Sequence, residues 1–441
     1  MVIETIEKNA SDAIEFLKEL VEIPSLSGHE ESVIRLVHDR FSGMTDECEL
    51  IPLSNEIRKD RDYSTPIPDI EYDGRYNLRA IVKGRGRGRS ILFNSHTDVV
   101  PPSALQKNPF NPVVRNGKLY GRGACDAKGQ IATMFFLLKT VNDLKIKFNG
   151  DLKFHIVVEE ENGGNGTLSM IRRGEQADAA IVMEPTSLKL LSAVRGAIWF
   201  RGIFKGIPGH SGSGGKRISA LDLAIEAKSI MQRYHDELLA NSKGIELFDA
   251  YADPMPITFG KLHAGDWPAT IPNQAVMEGV LGFLTNVDRC RVMDELEKEI
   301  MKRGSEELKH NFELEFMYRH DAHAIGSEHP ILDSFRHAFE KASIPLEISA
   351  MAASCDSWFY HNQLNIPTVV FGPGDLAVAH SNVEHIEINH IVSAVEILIH
   401  FIYQWCGIKQ DLLWKKIKIG KSLSPITSRK NSIGNLKNLE A

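Results

Sequence analysis

Short, continuous apolar runs alternate with segments of helical periodicity along the first part of the chain. Such runs are typical of strands buried on both faces, whereas apolar residues recurring every three to four positions indicate amphipathic helices. Alternation of the two favours a parallel, doubly wound sheet covered by helices. Helices are predicted at 3–22, 29–42, 131–144 and near 165–173, and strands at 152–158 and from Ser90 and Ala179 onward.

The pattern changes from about residue 192. The predicted elements then follow the order strand, helix, strand, strand, helix, strand, which suggests a ferredoxin-like insert. The sheet pattern resumes after the insert and closes with a helix at 388–405. In order, the six elements of the insert are 192–205, 218–239, 256–264, 274–283, 288–308 and 311–319.

These patterns predict an α/β fold: a doubly wound, mainly parallel sheet domain with an inserted ferredoxin-like α+β domain, which we term the lid. The sheet domain is predicted to comprise residues 1–193 and 315–412, with the lid at 194–314. A polar, proline-bearing stretch from about 44 to 75 is predicted to be a surface excursion. Residues 413–441 carry seven Lys and Arg against one Glu, which predicts a disordered basic tail.

Composition narrows the possible functions. The 441 residues are 43% hydrophobic and 25% charged, as in ordinary globular proteins of two or three domains. A net charge of −7 provides no basic surface for nucleic acid or an anionic membrane, and we predict neither partner. The charged N-terminus does not resemble a secretory leader, and five scattered cysteines favour a reducing compartment, so cytoplasm is predicted.

Ionisable side chains follow the predicted strands at their carboxyl ends. One strand ends at His96, and Asp98 lies two residues later on the same face, where it can hold the other N–H of the imidazole. The apolar run from Phe154 ends in carboxylates, beginning with Glu159 and Glu160. If the strand continues, the two side chains point to opposite faces of the sheet. One can then bind a metal while the other faces the substrate side and transfers a proton. When this run is considered without the other motifs, the alternative interpretation is an acidic loop that follows an edge strand.

Mixed imidazole and carboxylate ligation without thiolate suits zinc, cobalt or manganese. Three ligand carboxylates and a hydroxide would balance the four positive charges of two divalent ions. We therefore predict two divalent ions per chain, zinc first, with cobalt or manganese as alternatives. Glu159 is then left to take a proton from water. The five predicted ligands are His96, Asp126, Glu160, Glu184 and His380.

Motifs spread over roughly residues 5–407 resemble those of the M20 family of dinuclear metallohydrolases. The resemblance implies that His96 and Glu184 bind one metal, that Glu160 and His380 bind the other, and that Asp126 bridges them. It also implies a cis peptide bond between Asp126 and Ala127. The motifs are Ser95-His-Thr-Asp98, Gly121-Arg-Gly-Ala-Cys-Asp126, Glu159-Glu160, Met183-Glu-Pro185, Gly209-His-Ser211 and Gly372-Pro-Gly374 followed by His380.

The resemblance implies catalytic roles as well. Glu159 would be the general base, Asp98 would support His96, and His210 would stabilise the oxyanion, typically from the other subunit of a homodimer formed through the lid. Glu184 resembles the acetylornithine-deacetylase-like branch, so removal of an acetyl, formyl or succinyl group from the amine of a small metabolite is expected.

Substrate recognition departs from the family pattern. Gly282-Phe-Leu-Thr and Asp356-Ser-Trp358 lack arginines with which many relatives bind a substrate carboxylate. Either Arg195 substitutes for them, or the N-acyl substrate has no such carboxylate. A metallo-exopeptidase is the alternative function within the family, and a non-catalytic, small-molecule-binding dimer is the alternative outside enzymes.

Overall fold

A computed structural model of the chain describes residues 1–210, 212 and 217–408. The predicted tail at 413–441 lies outside these residues, as do 409–412. The helices are α1 (Val2–Glu22), α2 (Glu31–Ser42), α3 (Lys128–Asp143), α4 (Asn165–Ile171), α5 (Ala220–Asn241), α6 (Arg289–Arg303), α7 (Glu306–His310), α8 (Pro330–Ala342) and α9 (Ile388–Cys406). Short 3-10 turns occur at Asn55–Lys59, Phe248–Ala250 and Leu376–Val378, and a π turn at Phe359–Gln363.

The strands fall into two large sheets and one small one. The strands that begin before residue 200 are β1 (Glu47–Pro52), β2 (Tyr76–Val82), β3 (Ile91–His96), β4 (Val113–Arg115), β5 (Lys118–Tyr120), β6 (Leu152–Val157), β7 (Ala180–Val182), β8 (Leu190–Val194) and β9 (Gly196–Lys205). The later strands are β10 (Ile257–Ala264), β11 (Gln274–Phe283), β12 (Phe312–His320), β13 (His323–Ala324), β14 (Ile348–Met351), β15 (Thr368–Val370) and β16 (His385–Glu387).

The largest sheet has the strand order β1-β2-β6-β3-β7-β15-β8-β13, with β14 paired to β8. Its centre is parallel, since β3 pairs with β6 and β7, and β7 pairs with β15. Every residue of β3 is buried, as expected for a strand covered on both faces. Helices α1, α3 and α9 pack on one side and α4 on the other. The predicted doubly wound, mainly parallel fold is confirmed.

The lid sheet is antiparallel with the order β10-β11-β9-β12. This is the strand order of a ferredoxin-like β-α-β-β-α-β unit, as the sequence pattern predicts. Ile198 and Phe200 of β9 are buried in the core that includes α5 and α6. Trp199 lies between them in sequence and therefore points to the opposite face of the sheet. We term this second face the cleft face.

Two neighbouring connections join the domains. On the sheet-domain side Val194 pairs with His323, and on the lid side Ala197 pairs with His320. The single strand predicted at 192–205 is therefore wrong. The structure divides it at Arg195, because β8 pairs with β14 and β15 in the largest sheet while β9 pairs with β11 and β12 in the lid.

Three other predicted features differ from the structure. The stretch at 44–75 is not a surface excursion, because β1 extends the largest sheet and Tyr72 is fully buried. The helix predicted at 288–308 ends at Gly304, and α7 begins anew where Ser305 accepts a hydrogen bond from the Leu308 amide. The predicted domain boundary at 314–315 falls inside β12.

The parallel strands bring their carboxyl ends to one edge of the sheet. β3 ends at His96, β6 ends at Val157 and β7 ends at Val182, so the candidate site residues after each strand lie close together. Ligands of doubly wound sheets bind beyond this edge. In the described part of the chain, no helix is both long and apolar enough to cross a membrane.

Candidate metal centre

Imidazole and carboxylate groups converge at this edge of the sheet. His96, Asp126 and Glu161 each present one potential ligand atom, and these atoms lie within 4.8 Å of one another. Asp126 Oδ1 lies 3.0 Å from His96 Nε2, and Asp126 Oδ2 lies 3.4 Å from His380 Nε2. His380 Nε2 also lies 3.1 Å from Glu161 Oε1. The two oxygens of one carboxylate therefore face two different imidazoles.

The loop before α3 holds Asp126 in this position. The peptide bond between Asp126 and Ala127 is cis, as the resemblance implies. The buried carboxylate of Glu384 accepts hydrogen bonds from the amides of Gly123, Cys125 and Asp126 at 2.9, 3.1 and 3.3 Å. Glu384 also forms a buried ion pair with Arg122.

Arg122 connects this loop to the second histidine. Its Nη2 atom donates to the carbonyl oxygen of His380 at 3.3 Å. Sequence reasoning missed both Arg122 and Glu384. Arg122 lies inside the glycine motif that contains Asp126, and Glu384 follows His380 by four residues, so proximity to two predicted ligands was the available signal.

Asp98 connects His96 to the carboxylates that follow β6. His96 Nδ1 lies 2.9 Å from the Asp98 carbonyl oxygen and 3.3 Å from its Oδ1. The same carboxylate accepts the amides of Glu160 at 3.0 Å and Glu161 at 3.2 Å, and the hydroxyl of Ser27 at 2.8 Å. Burial opposes a charge on His96, but its hydrogen bonds to Asp126 and Asp98 outweigh this and raise its pKa well above the ordinary value.

The three consecutive glutamates differ from their predicted placement. Glu161, rather than Glu160, lies against His380 and Asp126. Glu159 is fully buried, and its Oε1 accepts hydrogen bonds from Tyr72 Oη and Asn165 Nδ2, each at 2.9 Å. The alternation rule failed because β6 ends at Val157 and Glu159 adopts a left-handed φ of 62°.

Glu160 and Glu184 complete a crowded group of carboxylates. Burial raises the pKa of Glu160 well above its ordinary value, and the nearby charges of Asp356 and Glu184 raise it further. Burial also raises the pKa of Glu184, although His96 opposes the shift. Carboxylates whose ionisation is opposed by burial would be stabilised in their charged form by a divalent cation, and Glu184 is one of the buried polar side chains. The residues present therefore fit the predicted metal site.

The other two predicted site residues lie at the lid. His210 is exposed on the loop after β9, where it forms a β-bridge with Thr270, and its Nδ1 accepts the amide of Gly212 at 3.0 Å. Arg195 is buried at the domain junction and donates from Nε to the carbonyl oxygen of Ala352 at 2.7 Å. The prediction that Arg195 binds a substrate carboxylate is not supported by this geometry, because the guanidinium is directed at backbone carbonyls.

Residues 92–404 match peptidase family M20/M25/M40. The chain belongs to this family. Two curated relatives of this M20 hydrolase are deacylases. The N-formyl-4-amino-5-aminomethyl-2-methylpyrimidine deformylase of Bacillus subtilis (strain 168) is 26% identical over 376 residues, covering 77% of this chain and 85% of that protein. The acetylornithine deacetylase of Shigella sonnei (strain Ss046) is 26% identical over 414 residues, covering 89% and 97%.

Solved structures of peptidases share the fold of this M20 hydrolase. The dipeptidase Dug1p of Saccharomyces cerevisiae superposes with a TM-score of 0.74 at 14% identity, covering 93% of this chain and 98% of that chain. At this identity the likeness concerns the fold.

A cavity of about 500 Å³ lies between the candidate metal centre and the lid. Glu161 and Ser27 form part of its wall on the side of the sheet domain, and Trp199 and Val280 line it on the cleft face of the lid. Because Glu161, one of the candidate ligands, lines this cavity, a substrate could approach the candidate metal centre from it.

Proposed function

We propose that this M20 hydrolase removes a small acyl group (acetyl, formyl or succinyl) from the amine of a small metabolite, using two divalent cations. The observation that carries the proposal is the placement of Asp126, whose two oxygens face His96 and His380 separately. A carboxylate so placed is suited to lie between two ions rather than to bind one. The two curated deacylase relatives support the choice of reaction.

The donor set determines which residues would hold the cations. His96 and Glu184 would bind one, Glu161 and His380 the other, and Asp126 both. This nitrogen and oxygen set suits zinc first and cobalt or manganese as alternatives. When bound, such a pair supplies a water of lowered pKa and polarises the carbonyl of the substrate.

Glu160 replaces Glu159 as the proposed general base. In sequence, Glu160 lies between Glu159, whose carboxylate accepts from Tyr72, and Glu161, whose carboxylate faces His380, so neither of these contacts occupies the Glu160 carboxylate. It would take the proton of the attacking water and deliver it to the nitrogen of the leaving amine. His210 would donate to the oxyanion, from the partner subunit of a homodimer formed through the lid.

The test combines metal analysis with two neighbouring substitutions. We expect up to two divalent ions per chain, and we expect Glu160→Gln to retain them while losing about 10²–10⁴-fold in kcat, because an amide cannot accept the proton. Glu159→Gln is the matched control, with an expected loss under about tenfold because its carboxyl faces Tyr72 and Asn165. The opposite ranking would return the base role to Glu159.

The substrate panel separates this function from its alternative. N-acyl amines and dipeptides should be compared on the zinc- or cobalt-loaded protein, because an exopeptidase would use the same centre. Release of amine from the N-acyl compounds supports the proposal, whereas turnover confined to dipeptides supports the exopeptidase. Absence of bound metal together with no activity after addition of zinc, cobalt or manganese would refute both.

A further inference from the structure

The cavity beside the metal centre has mainly apolar walls. Side chains from the sheet domain and from the lid contribute to it, so it would enclose a substrate group from two sides. Burial of apolar surface is the main source of affinity in such a cavity. The apolar lining residues are Leu26, Ile67, Pro68, Val100, Pro101, Trp199, Val280 and Met317.

One wall of the cavity carries a preorganised aromatic surface. Trp199 stacks on Tyr318 with ring centroids 5.4 Å apart and an interplanar angle of 26°. Tyr318 in turn lies against His320, with centroids 3.8 Å apart. Because the indole is already held by its neighbour, a flat ring could pack against it without ordering a mobile side chain.

The charged groups near this wall are already paired. Lys261 is the one Lys or Arg among the described lining residues, and its Nζ lies 3.1 Å from Glu278 Oε2. Arg201 Nε lies 2.8 Å from Glu278 Oε1, so this carboxylate is held by two cations. His29 lines the cavity from an exposed position, where water screens its interactions. Among the described lining residues, a substrate carboxylate would therefore meet no guanidinium or ammonium group that lacks a carboxylate partner.

We propose that the substrate carries an uncharged, flat aromatic group in this cavity and has no carboxylate next to the scissile amide. The inference rests on the proposed deacylase function and narrows its substrate class. In the reaction, the C–N bond of the amide breaks, water supplies the new C–O bond, and the amine takes the proton. The products are a small carboxylic acid and an amine that carries the aromatic group, rather than a free α-amino acid.

The test uses two substrates that differ only by a carboxylate. N-acetylbenzylamine and N-acetylphenylglycine share the ring, the acyl group and the amide. We expect kcat/KM of the zinc-loaded protein to favour N-acetylbenzylamine by at least about tenfold, because the cavity leaves a carboxylate unpaired. Equal or preferential hydrolysis of N-acetylphenylglycine would overturn this inference while leaving the deacylase function intact.

Binding supplies a readout that does not depend on turnover. The zinc-loaded Glu160→Gln protein should bind N-acetylbenzylamine at least about tenfold more tightly than N-acetylphenylglycine by calorimetry. If this preference holds while the wild-type protein hydrolyses no amide, the proposed function fails and the cavity assignment stands. Equal binding of the two compounds would refute the cavity assignment.

A substitution on the cleft face tests directly whether the described lining residues offer a carboxylate no cation. Val280 lines the cavity and pairs with Trp199 across the strands, so Val280→Arg should shift the ratio of the two substrates toward N-acetylphenylglycine by about tenfold. The matched control is Ile203→Arg, on the same strand and face as Trp199 but outside the lining. A similar shift in both variants, or in neither, would contradict the proposal.

Discussion

Glu384 offers the sharpest test of how the metal centre is held in place. Its carboxylate accepts three backbone amides of the loop that carries Asp126 and pairs with the buried Arg122. In Glu384→Gln the negative charge of the carboxylate is lost. The NH₂ group of the glutamine side chain then faces the backbone N–H groups and the guanidinium that donate to the carboxylate. Each hydrogen bond to a charged group contributes about 1.5–3 kcal/mol, but neighbouring bonds are not additive. Breaking a buried pair on one side typically costs about 3–5 kcal/mol.

We therefore expect Glu384→Gln to lower the free energy of unfolding by about 3 kcal/mol. Because the loop also positions Asp126, metal affinity should fall about 10–100-fold. Urea unfolding of the metal-free protein measures the first quantity, and competition with a chromophoric chelator measures the second. The matched control is Glu387→Gln, whose half-exposed carboxylate pairs with Lys118 at 3.4 Å and should change stability by less than about 0.5 kcal/mol.

A double-mutant cycle identifies the origin of the loss. If the unpaired guanidinium of Arg122 is the cause, Arg122→Met combined with Glu384→Gln should be less destabilising than the sum of the two single changes. Additive losses would assign the effect to the backbone amides instead. A loss below about 1 kcal/mol in Glu384→Gln, with unchanged metal affinity, would refute the supporting role altogether.

Two further predictions concern Asp98 and a buried histidine. Asp98→Asn should lower metal affinity about 10–100-fold in the chelator assay, since the Asp98 carboxylate accepts hydrogen bonds from His96 and from two backbone amides. The control is Asp39→Asn at an exposed position, which should leave metal affinity unchanged. Burial lowers the pKa of His155 to about 3, below the unfolded value of about 6.5, so the unfolded chain binds the proton and stability falls as pH drops through this window. Between pH 7 and 5 this histidine should account for about 2 kcal/mol of the loss in metal-free protein. His155→Leu should therefore reduce the dependence of the urea-derived free energy of unfolding on pH. An unchanged slope, or the same reduction in His263→Gln at an exposed position, would contradict the assignment of this pH dependence to His155.

The sequence was sufficient where chemistry followed directly from a strand. His96 is the last residue of a fully buried strand, and Glu184 follows another, so apolar patterning alone brought both to the same edge. Strand order in the lid was also predictable, because the predicted order of strands and helices matches the β-α-β-β-α-β unit.

Prediction failed where the backbone left regular structure or where the partner is distant. No sequence pattern predicts the left-handed conformation of Glu159, and it is Glu161 rather than Glu160 that lies against His380. Glu384 lies 258 residues from Asp126 in the chain, and only the folded structure brings them together. The division between β8 and β9, which places Arg195 at the domain junction against the carbonyl oxygen of Ala352, is likewise not marked by the apolar pattern.

The paired junction between the domains has a consequence for the history of the chain. The lid leaves the sheet domain after Val194 and returns at His323, and these two residues are already neighbours across an antiparallel pair. A tight turn in place of the lid would convert β8 and β13 into an ordinary hairpin without altering the path of the remaining chain. The junction is thus an insertion point, through which an ancestral sheet domain could acquire or exchange a complete lid. The lid's share of the cavity wall could then be inherited as a unit, separately from the hydrolytic centre.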